Sequence, residues 1–434
     1  MESTAEFSPP LPLFKRLSLA DWLYAALLLL GAGIVLHRYG SGMDVYEKGI
    51  LIAAVPVFAW LGWNWPPLRR LLPVIGALAL LAISLYAGQL PLAEQKFLLK
   101  YFLASQPAIM WMSVLFFLAL FCYWGGLLAN APTASWVGTA MTWTAVTMGF
   151  TGMLVRWYES YLIGADVGHI PVSNLYEVFV LFSLITAVFY LYYEQRYATR
   201  ALGAFALLVI CAAVGFLAWY TFDRGAQQIQ PLLPALQSWW MKIHVPANFI
   251  GYGTFSLAAM VAFAWLIKQH GDTPIGWKIA PLFVLGTLLG AEPLVFRKSG
   301  LPEYWMAYFA VAAFIVGGIL LLRQRIADRL PSLEVLDEVM YKSIAVGFAF
   351  FTIATILGAL WAADAWGTYW QWDPKETWAL IVWLNYAAWL HMRLMKGLRG
   401  SFAAYWALVG LLVTGFAFLG VNMFLSGLHS YGEL

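Results

Sequence analysis

The chain has 434 residues, of which 62% are hydrophobic and 11% charged, and its mean hydropathy is +0.74. This balance excludes a soluble globular protein. A net charge of +3 is too small to indicate a nucleic-acid-binding protein. Cys122 and Cys211 both lie in apolar runs, so a disulfide framework is not expected, and the lack of a CxxCH motif excludes a c-type cytochrome.

Apolar runs of membrane-spanning length recur along the chain. A transmembrane helix needs about 20 mainly apolar residues, so we expect an all-α, polytopic transmembrane helical bundle with about 13 spans. The N-terminus has no small-residue cleavage site of the secretory kind, so the first span is expected to be retained. The predicted spans are 21–36, 49–61, 71–90, 107–128, 136–155, 176–193, 202–221, 246–268, 279–294, 304–322, 341–360, 377–395 and 402–424.

The loop charges predict the orientation of the bundle. Lysine and arginine residues collect on one side, which the positive-inside rule assigns to the cytoplasm, with the N-terminus inside and the C-terminus outside. The segment 279–294 is interrupted by Gly290 and Glu292, and the sides of all upstream loops reverse if it does not span. The inside cations are Lys15, Arg16, Arg69, Arg70, Arg196, Arg200, Arg323, Arg325, Arg329, Lys396 and Arg399.

The linker 91–106 predicts a surface-lying amphipathic helix on the outer side. We take it as the boundary between N-terminal transmembrane helices of unknown role, residues 1–104, and a membrane domain that covers residues 105–434. A second outer segment, PVSNLYE at 171–177, contains Ser173 and Asn174 as helix caps with Glu177 behind them. It predicts either an ordinary helix start or part of a functional site.

Residues 361–391 contain seven tryptophans and are called the Trp-rich segment below. Within it, Asp373, Pro374 and Glu376 predict a capped helix start. A single tryptophan at this depth is best explained as a membrane-interface anchor. Several indole rings gathered ahead of one turn suit a large, flat, apolar ligand with polar edges, such as a porphyrin.

Three of the six histidines are candidate ligands for haem iron, since neutral imidazole is a frequent axial ligand. His244 lies at the outer start of one span and His429 beyond the outer end of the last, on the predicted side of the Trp-rich segment. His391 lies 15 residues after Glu376, about 22 Å along a helix, in the inner half of the membrane. The alternatives are ordinary interfacial histidines at all three positions. His37 and His270 fall at span ends, and their position alone assigns them no role.

The sequence WGTYWQWDPKETWALIVWLNYAAWLHMR at 366–393 resembles the tryptophan-rich WWD signature of the haem-handling protein superfamily. The flanks GVNMFLSGLHSY at 420–431 and LPSLEVLDEVMYKSIAVGF at 330–348 are similar to its CcsA (ResC) branch, found in System II cytochrome c biogenesis. A looser likeness extends back to about residue 105, and residues 1–104 match no family.

The resemblance implies that the Trp-rich segment binds haem b, ferrous in the active form, at the outer face of the plasma (inner) membrane. It implies axial ligation by His244 and His429, and ligation of haem within the membrane by His391. The implied cofactor-binding residues are Trp361, Trp366, Trp370, Trp372, Asp373, Glu376, Trp378, His244, His429 and His391.

The implied function is presentation of haem for thioether attachment to the CxxCH of apocytochrome c, together with haem transport across the membrane, as the membrane component of a haem lyase. The implied partners are a ResB/CcsB-type membrane protein, apocytochrome c, and thiol-reducing proteins that keep CxxCH reduced. The second ligand of the in-membrane haem is attributed to the ResB-type partner, with His37 as a weaker substitute. Lys242, Arg156, Arg297 and Lys298 are open candidates for binding the haem propionates.

Other functional classes fit the sequence less well. A b-type electron carrier would place pairs of ligands inside the bilayer, and a secondary transporter would show two related halves. The remaining alternative is a haem transporter or a System I-type haem delivery protein without ligation activity of its own.

Overall fold

The computed structural model describes residues 16–295, 302–425 and 427. Long helices dominate these residues. They are α1 (Leu19–Tyr39), α2 (Val45–Asn64), α3 (Leu68–Tyr86), α4 (Ser105–Ala129), α5 (Pro132–Ile163), α6 (Leu175–Arg196), α7 (Gly203–Arg224), α8 (Met241–Gln269), α9 (Ala280–Val295), α10 (Pro302–Leu321), α11 (Leu333–Trp366), α12 (Pro374–Lys396) and α13 (Gly400–Gly415). A π-helical turn, Phe416–Gly420, and a short helix, Val421–Phe424, continue α13.

Each predicted span overlaps one of these helices, although the span predicted at 71–90 extends beyond the end of α3 and the last span also covers the π-helical turn and the short helix after α13. Within the described ranges, nine helices are long and apolar enough to cross a membrane: α1 to α4, α6 to α8, α11, and α13 with its π-helical turn. Shorter apolar stretches lie in α9 and α10. The segment 279–294 is helical despite Glu292, whose carboxylate packs against Gly415 of α13. The predicted all-helical, multi-pass membrane bundle is therefore confirmed, and its sidedness stays a prediction.

The chain divides into two compact units between Ala77 and Leu78, within α3. In the first unit Ser18 and Asp21 form a capping box at the start of α1, and Asp21 also pairs with Arg69. The indole Nε1 of Trp63 donates to the Asp21 carbonyl at 3.0 Å. These contacts tie α1, α2 and the start of α3 together. The predicted boundary between residues 104 and 105 is a division by role and stays a prediction.

In the second unit α8 is the central helix. Nearly all of its membrane-length portion is buried, and α6, α11 and α13 pack along it. Its contact with α12 includes Phe255 stacked on Tyr386 with ring centroids 3.6 Å apart. The first turn of α8 carries His244, so this packing fixes that histidine against the neighbouring helices.

The linker after α3 differs from the prediction of one amphipathic helix. It forms a short turn, Leu92–Gln95, followed by a π-helical segment, Leu99–Leu103. Leu99 and Leu103 are buried against the end of α3, in a cluster with Tyr86, whereas Lys96 and Lys100 are exposed. The amphipathic division is present, but the backbone breaks between the two pieces to bury both leucines.

The segment 171–177 forms the predicted helix start. The Asn174 side chain accepts from the Glu177 backbone N–H at 2.9 Å and caps α6. The Glu177 carboxylate is almost fully buried and accepts from Arg156 Nε at 2.8 Å. Arg156 also donates to the Gln227 carbonyl at 2.6 Å. A buried charge needs such partners, so this cluster joins α5, α6 and the loop after α7.

Candidate functional site

His244 is half-buried in the first turn of α8, and its ring orientation is set by α11. Nδ1 lies 2.8 Å from the carbonyl oxygen of Ala354. Because a carbonyl can only accept, the neutral ring carries its proton on Nδ1 and its lone pair on Nε2. Histidines that ligate metals usually donate their other ring N–H to a carbonyl or carboxylate in this way. The tautomer of His244 therefore suits axial ligation of haem iron.

Two residues of α11 enclose the same ring. Trp361 meets it edge-on, with ring centroids 5.6 Å apart and planes at 69°. Gly358 leaves space that a side chain would fill, since a Cβ there would lie 2.9 Å from His244 Cε1. The structure thus brings together His244 and Trp361, which are both predicted site residues.

A hydrogen bond joins the start of α8 to the end of α11. Trp240 Nε1 donates to the Asp364 carboxylate at 2.6 Å, and Trp239 stacks on Trp240 with centroids 3.9 Å apart. Trp240 and Asp364 are not among the residues predicted from the sequence. The adjacent tryptophans, five and four residues before His244, are a visible pattern. The partner of Trp240 lies 124 residues away, so the pattern alone could not reveal it.

The loop between α11 and α12 is held by local caps. Gly367 ends α11 in the left-handed conformation, with φ of 79°. Asp373 and Glu376 form the predicted capping box at the start of α12, with Asp373 Oδ1 accepting from the Lys375 N–H at 2.9 Å. Glu376 also accepts from the Gln371 N–H at 2.7 Å. The two carboxylates therefore shape the loop through its backbone.

This loop presents indole surface outward. Trp372 is 69% exposed and has a φ of 59°. A non-glycine residue in this conformation costs roughly 1–2 kcal/mol, which the surrounding caps must offset. Trp370 and Trp366 are half-buried, and Trp370 meets Trp372 edge-on with centroids 6.0 Å apart. An exposed and strained aromatic residue beside a second indole provides a surface for a flat ligand.

The remaining tryptophans of the Trp-rich segment pack between helices. Trp378 lies against Phe416, with ring centroids 4.3 Å apart. Trp383 donates to Thr352 Oγ1 at 2.9 Å, and the buried Trp389 donates to the Ala403 carbonyl at 3.0 Å. Trp383 and Trp389 are thus packing residues, whereas Trp378 couples the start of α12 to the π-helical turn after α13.

Gly427, the last residue that the structure describes, lies against the capped loop. Gly427 lies so close to Asp373 that a Cβ on it would overlap the Asp373 carboxylate, and the same Cβ would lie 3.0 Å from Pro374 Cδ. His429 itself lies outside the described residues, so its predicted role as a ligand stays a prediction. It follows Gly427 by two residues in the sequence.

His391 lies on an exposed face of α12, away from the capped end of that helix. α12 is unbroken from Pro374 to Lys396, so 15 residues at 1.5 Å each separate Glu376 from His391 by about 22 Å. Ile381, Leu384 and Ala388 share its face. The structure places His391 where lipid or another chain can reach it, and its predicted haem ligation stays a prediction.

The four residues predicted as candidates for binding the haem propionates differ in their accessibility. Arg156 is 2% exposed and is engaged by Glu177 and by backbone carbonyls of the loop after α7. It has no exposed surface to offer a propionate. Lys242 lies two residues before His244, in the same helical turn, whereas Arg297 and Lys298 lie outside the described residues.

Comparison with known proteins gives consistent matches. The family model described as cytochrome C assembly protein matches residues 172–429. The cytochrome c biogenesis protein CcsA of Synechococcus elongatus is 35% identical over 320 residues, which cover 72% of this chain and 93% of that protein. CcsA of Chlorella vulgaris is 34% identical over 282 residues, 65% of this chain and 81% of that protein. CcsA of Heterosigma akashiwo is 34% identical over 280 residues, 64% and 80% respectively.

Proposed function

We propose that this chain, which belongs to the cytochrome c assembly protein family and is of the CcsA type, holds haem at the outer face of the membrane for attachment to apocytochrome c. The family establishes a role in cytochrome c biogenesis and the handling of haem. Haem is a substrate in this proposal, because it leaves covalently bound to the cytochrome. The observation that carries the proposal is the His244 ring, oriented by the Ala354 carbonyl and packed on Trp361.

In the proposed site His244 supplies one axial ligand through Nε2 and His429 supplies the other. The position of Gly427 against Asp373 supports this pairing, because it brings the chain just before His429 to the capped loop. Trp361, Trp366, Trp370 and Trp372 provide apolar surface for the porphyrin, and Asp373, Glu376 and Trp378 hold the loop and the start of α12 in place. Lys242, in the first turn of α8, stays a candidate for binding a propionate.

The reaction needs positioning more than acid–base chemistry. Each thioether forms when a cysteine S–H adds across a haem vinyl C=C, so no atom leaves and no oxidant is consumed. Bound ferrous haem b supplies the reactive vinyl groups. The chain orients the porphyrin with two imidazoles and an indole surface, which raises the effective concentration of the vinyl edge at an incoming CxxCH. The histidine of that CxxCH then replaces one imidazole on release.

We also propose that haem reaches the outer site from within the membrane. The exposed face of α12 with His391 supports this route, because an imidazole among apolar side chains at that depth is costly without a functional partner. A ResB/CcsB-type partner would cover this face and supply the second ligand. Thiol-reducing proteins would keep the cysteines of apocytochrome c reduced. The site would then face the periplasm from the inner membrane.

The test is maturation of a reporter cytochrome c by the His244→Gly variant in cells that lack the native chain. We expect maturation to fall below about a hundredth of the wild-type level, since an axial ligand is lost, and added imidazole to restore part of it by occupying the vacant position. His270→Gly is the matched control, because His270 is half-buried at the opposite end of α8. Full maturation by His244→Gly at a normal protein level would refute the proposal.

A further inference from the structure

A cavity of about 500 Å³ opens in the second unit, at the end that is remote from His244. Its walls come from the end of α4, the start of α5, the end of α6 with the loop 198–201, and Arg329 ahead of α11. This volume lies within the 300–1,000 Å³ typical of small-molecule sites. The proposed haem site does not use any of these residues, so the cavity needs its own explanation.

The charged groups of the cavity wall are two arginines and one glutamate, Arg200, Arg329 and Glu194, for a net charge of +1. Glu194 is 6% exposed, and hydroxyl groups already surround its carboxylate: Tyr123 and Thr139 donate to it at 2.7 Å, and Tyr190 donates as well. These hydrogen bonds disperse its negative charge. The field in the open part of the cavity is therefore dominated by the arginines.

Both guanidinium groups are anchored from one side. Arg329 Nη1 donates to the Leu127 carbonyl, and Arg200 Nε lies 3.6 Å from Glu194 Oε1 while its side chain remains 45% exposed. A guanidinium has five N–H donors in a planar fork. Among the described residues each guanidinium has this one polar neighbour, so further N–H donors remain in a geometry that matches phosphate oxygens.

The start of α5 also favours an anion in the cavity. Ala131 and Pro132 line the cavity, and the N-cap Ala131 has no side chain that could accept a hydrogen bond from the first turn. The positive end of a long helix dipole therefore faces the cavity together with the two arginines. Thr199 and Ser135 supply hydroxyl groups to the wall.

Exposed aromatic residues mark the depth of the cavity in the membrane. Trp136, one helical turn into α5, is 58% exposed, and Tyr192, close to the end of α6, is 39% exposed. Such residues settle at the level of lipid head groups. Arg196 and Arg200 follow on the predicted cytoplasmic side. Basic pockets between helices at this level are suited to phospholipid head groups.

We propose that this cavity binds a phosphoryl group, presented by the head group of an anionic phospholipid of the cytoplasmic leaflet. Arg200 and Arg329 hold the phosphate oxygens, and the glycerol part occupies the remaining volume. The lipid would then bridge the ends of α4, α5 and α6 to the segment ahead of α11.

The test is native mass spectrometry of the purified full chain in detergent, titrated with phosphatidylglycerol or with inorganic phosphate. We expect a retained phosphatidylglycerol adduct, and about tenfold weaker binding by Arg200→Gln and by Arg329→Gln, since each removes a charge-assisted hydrogen bond. Arg196→Gln is the matched control, because this exposed arginine on the same side does not line the cavity. Arg200→Gln should fold normally, because the Arg200 side chain is 45% exposed.

The results distinguish a lipid head group from free phosphate and test whether the site exists. Binding of phosphatidylglycerol that depends on Arg200 and Arg329 supports the proposal. Arginine-dependent binding of inorganic phosphate without lipid binding would retain the phosphoryl site and overturn the lipid as its source. Equal binding of both ligands by wild type, by the two cavity variants and by Arg196→Gln would overturn the site itself.

Discussion

At the residue scale, the direction of the His244 ring depends on a glycine of the neighbouring helix. Gly358 faces His244 across the contact between α8 and α11, beside the Ala354 carbonyl that accepts from Nδ1. In a helix, alanine is ordinarily more stable than glycine by roughly 0.5–1 kcal/mol. A glycine here thus gives up helix stability to leave room for the imidazole.

We therefore predict that Gly358→Ala impairs haem binding although it favours the helix. The new Cβ would lie 2.9 Å from His244 Cε1 and 3.2 Å from Nδ1, so the ring must turn away from the Ala354 carbonyl. Loss of such a supporting hydrogen bond typically weakens metal binding about tenfold or more. The measurement is haem bound per purified protein. Gly318→Ala, in α10, is the control because a Cβ there meets nothing within 4 Å. Equal haem content in the two variants would contradict the prediction.

At the scale of single elements, the capping box of α12 connects helix stability with the shape of the loop between α11 and α12, residues 367–373, which is called the Trp loop below. Asp373 caps α12, and Glu376 reaches back to the N–H groups of Gln371 and Asp373. The same carboxylates that start the helix therefore hold the loop that carries Trp370 and Trp372.

Asp373→Ala should lower stability by about 1 kcal/mol, the usual cost of losing an N-cap, and should also lower haem binding. Ser332→Ala removes the N-cap of α11 at the end of that helix remote from the Trp loop. It should cost a similar amount of stability and leave haem binding unchanged. Thermal unfolding and haem titration of both purified variants provide the comparison. If both lose haem equally, the Trp loop has no specific part in binding.

A separate prediction concerns His391 on the exposed face of α12. His391→Ala should lower the total haem content of the protein, because haem would no longer be captured within the membrane. Ligation of haem already at the outer site should persist, since His391 lies about 22 Å along the helix from Glu376. Leu384→Ala, on the same exposed face, is the control for altered packing. Full haem content and full maturation in His391→Ala would remove the support for a route through the membrane.

At the scale of the whole molecule, the buried pair of Arg156 and Glu177 joins α5 and α6 of the second unit. Both side chains are at most 2% exposed. Removing one partner of such a pair leaves a buried charge and typically costs 3–5 kcal/mol.

Arg156→Met should accordingly destabilise the protein by about 3–5 kcal/mol. The double variant Arg156→Met, Glu177→Leu should be less destabilised than the single variant, because no charge remains unpaired. Unfolding of the purified proteins in detergent measures both. A double variant that is no more stable than Arg156→Met would contradict the prediction that the unpaired Glu177 charge causes the loss.

Much of this architecture could be predicted from the sequence because its causes are local. Apolar runs define the helices, and Asp373 and Asn174 cap helices through side chains within three residues of their partners. The contacts that build the site are not local. The Ala354 carbonyl lies 110 residues from His244, and Asp364 lies 124 residues from Trp240. These contacts depend on which face of α11 packs against α8. Both helices are apolar along almost their whole length, so the sequence does not reveal the packed face.

The central claim is that His244 is an axial ligand of haem, and the visible absorption spectrum of the purified protein with bound haem tests it most directly. Wild-type protein should show the spectrum of low-spin, six-coordinate haem with two imidazole ligands. His244→Gly should lose the low-spin bands and recover them when imidazole is added. An unchanged low-spin spectrum in His244→Gly without imidazole would contradict the account.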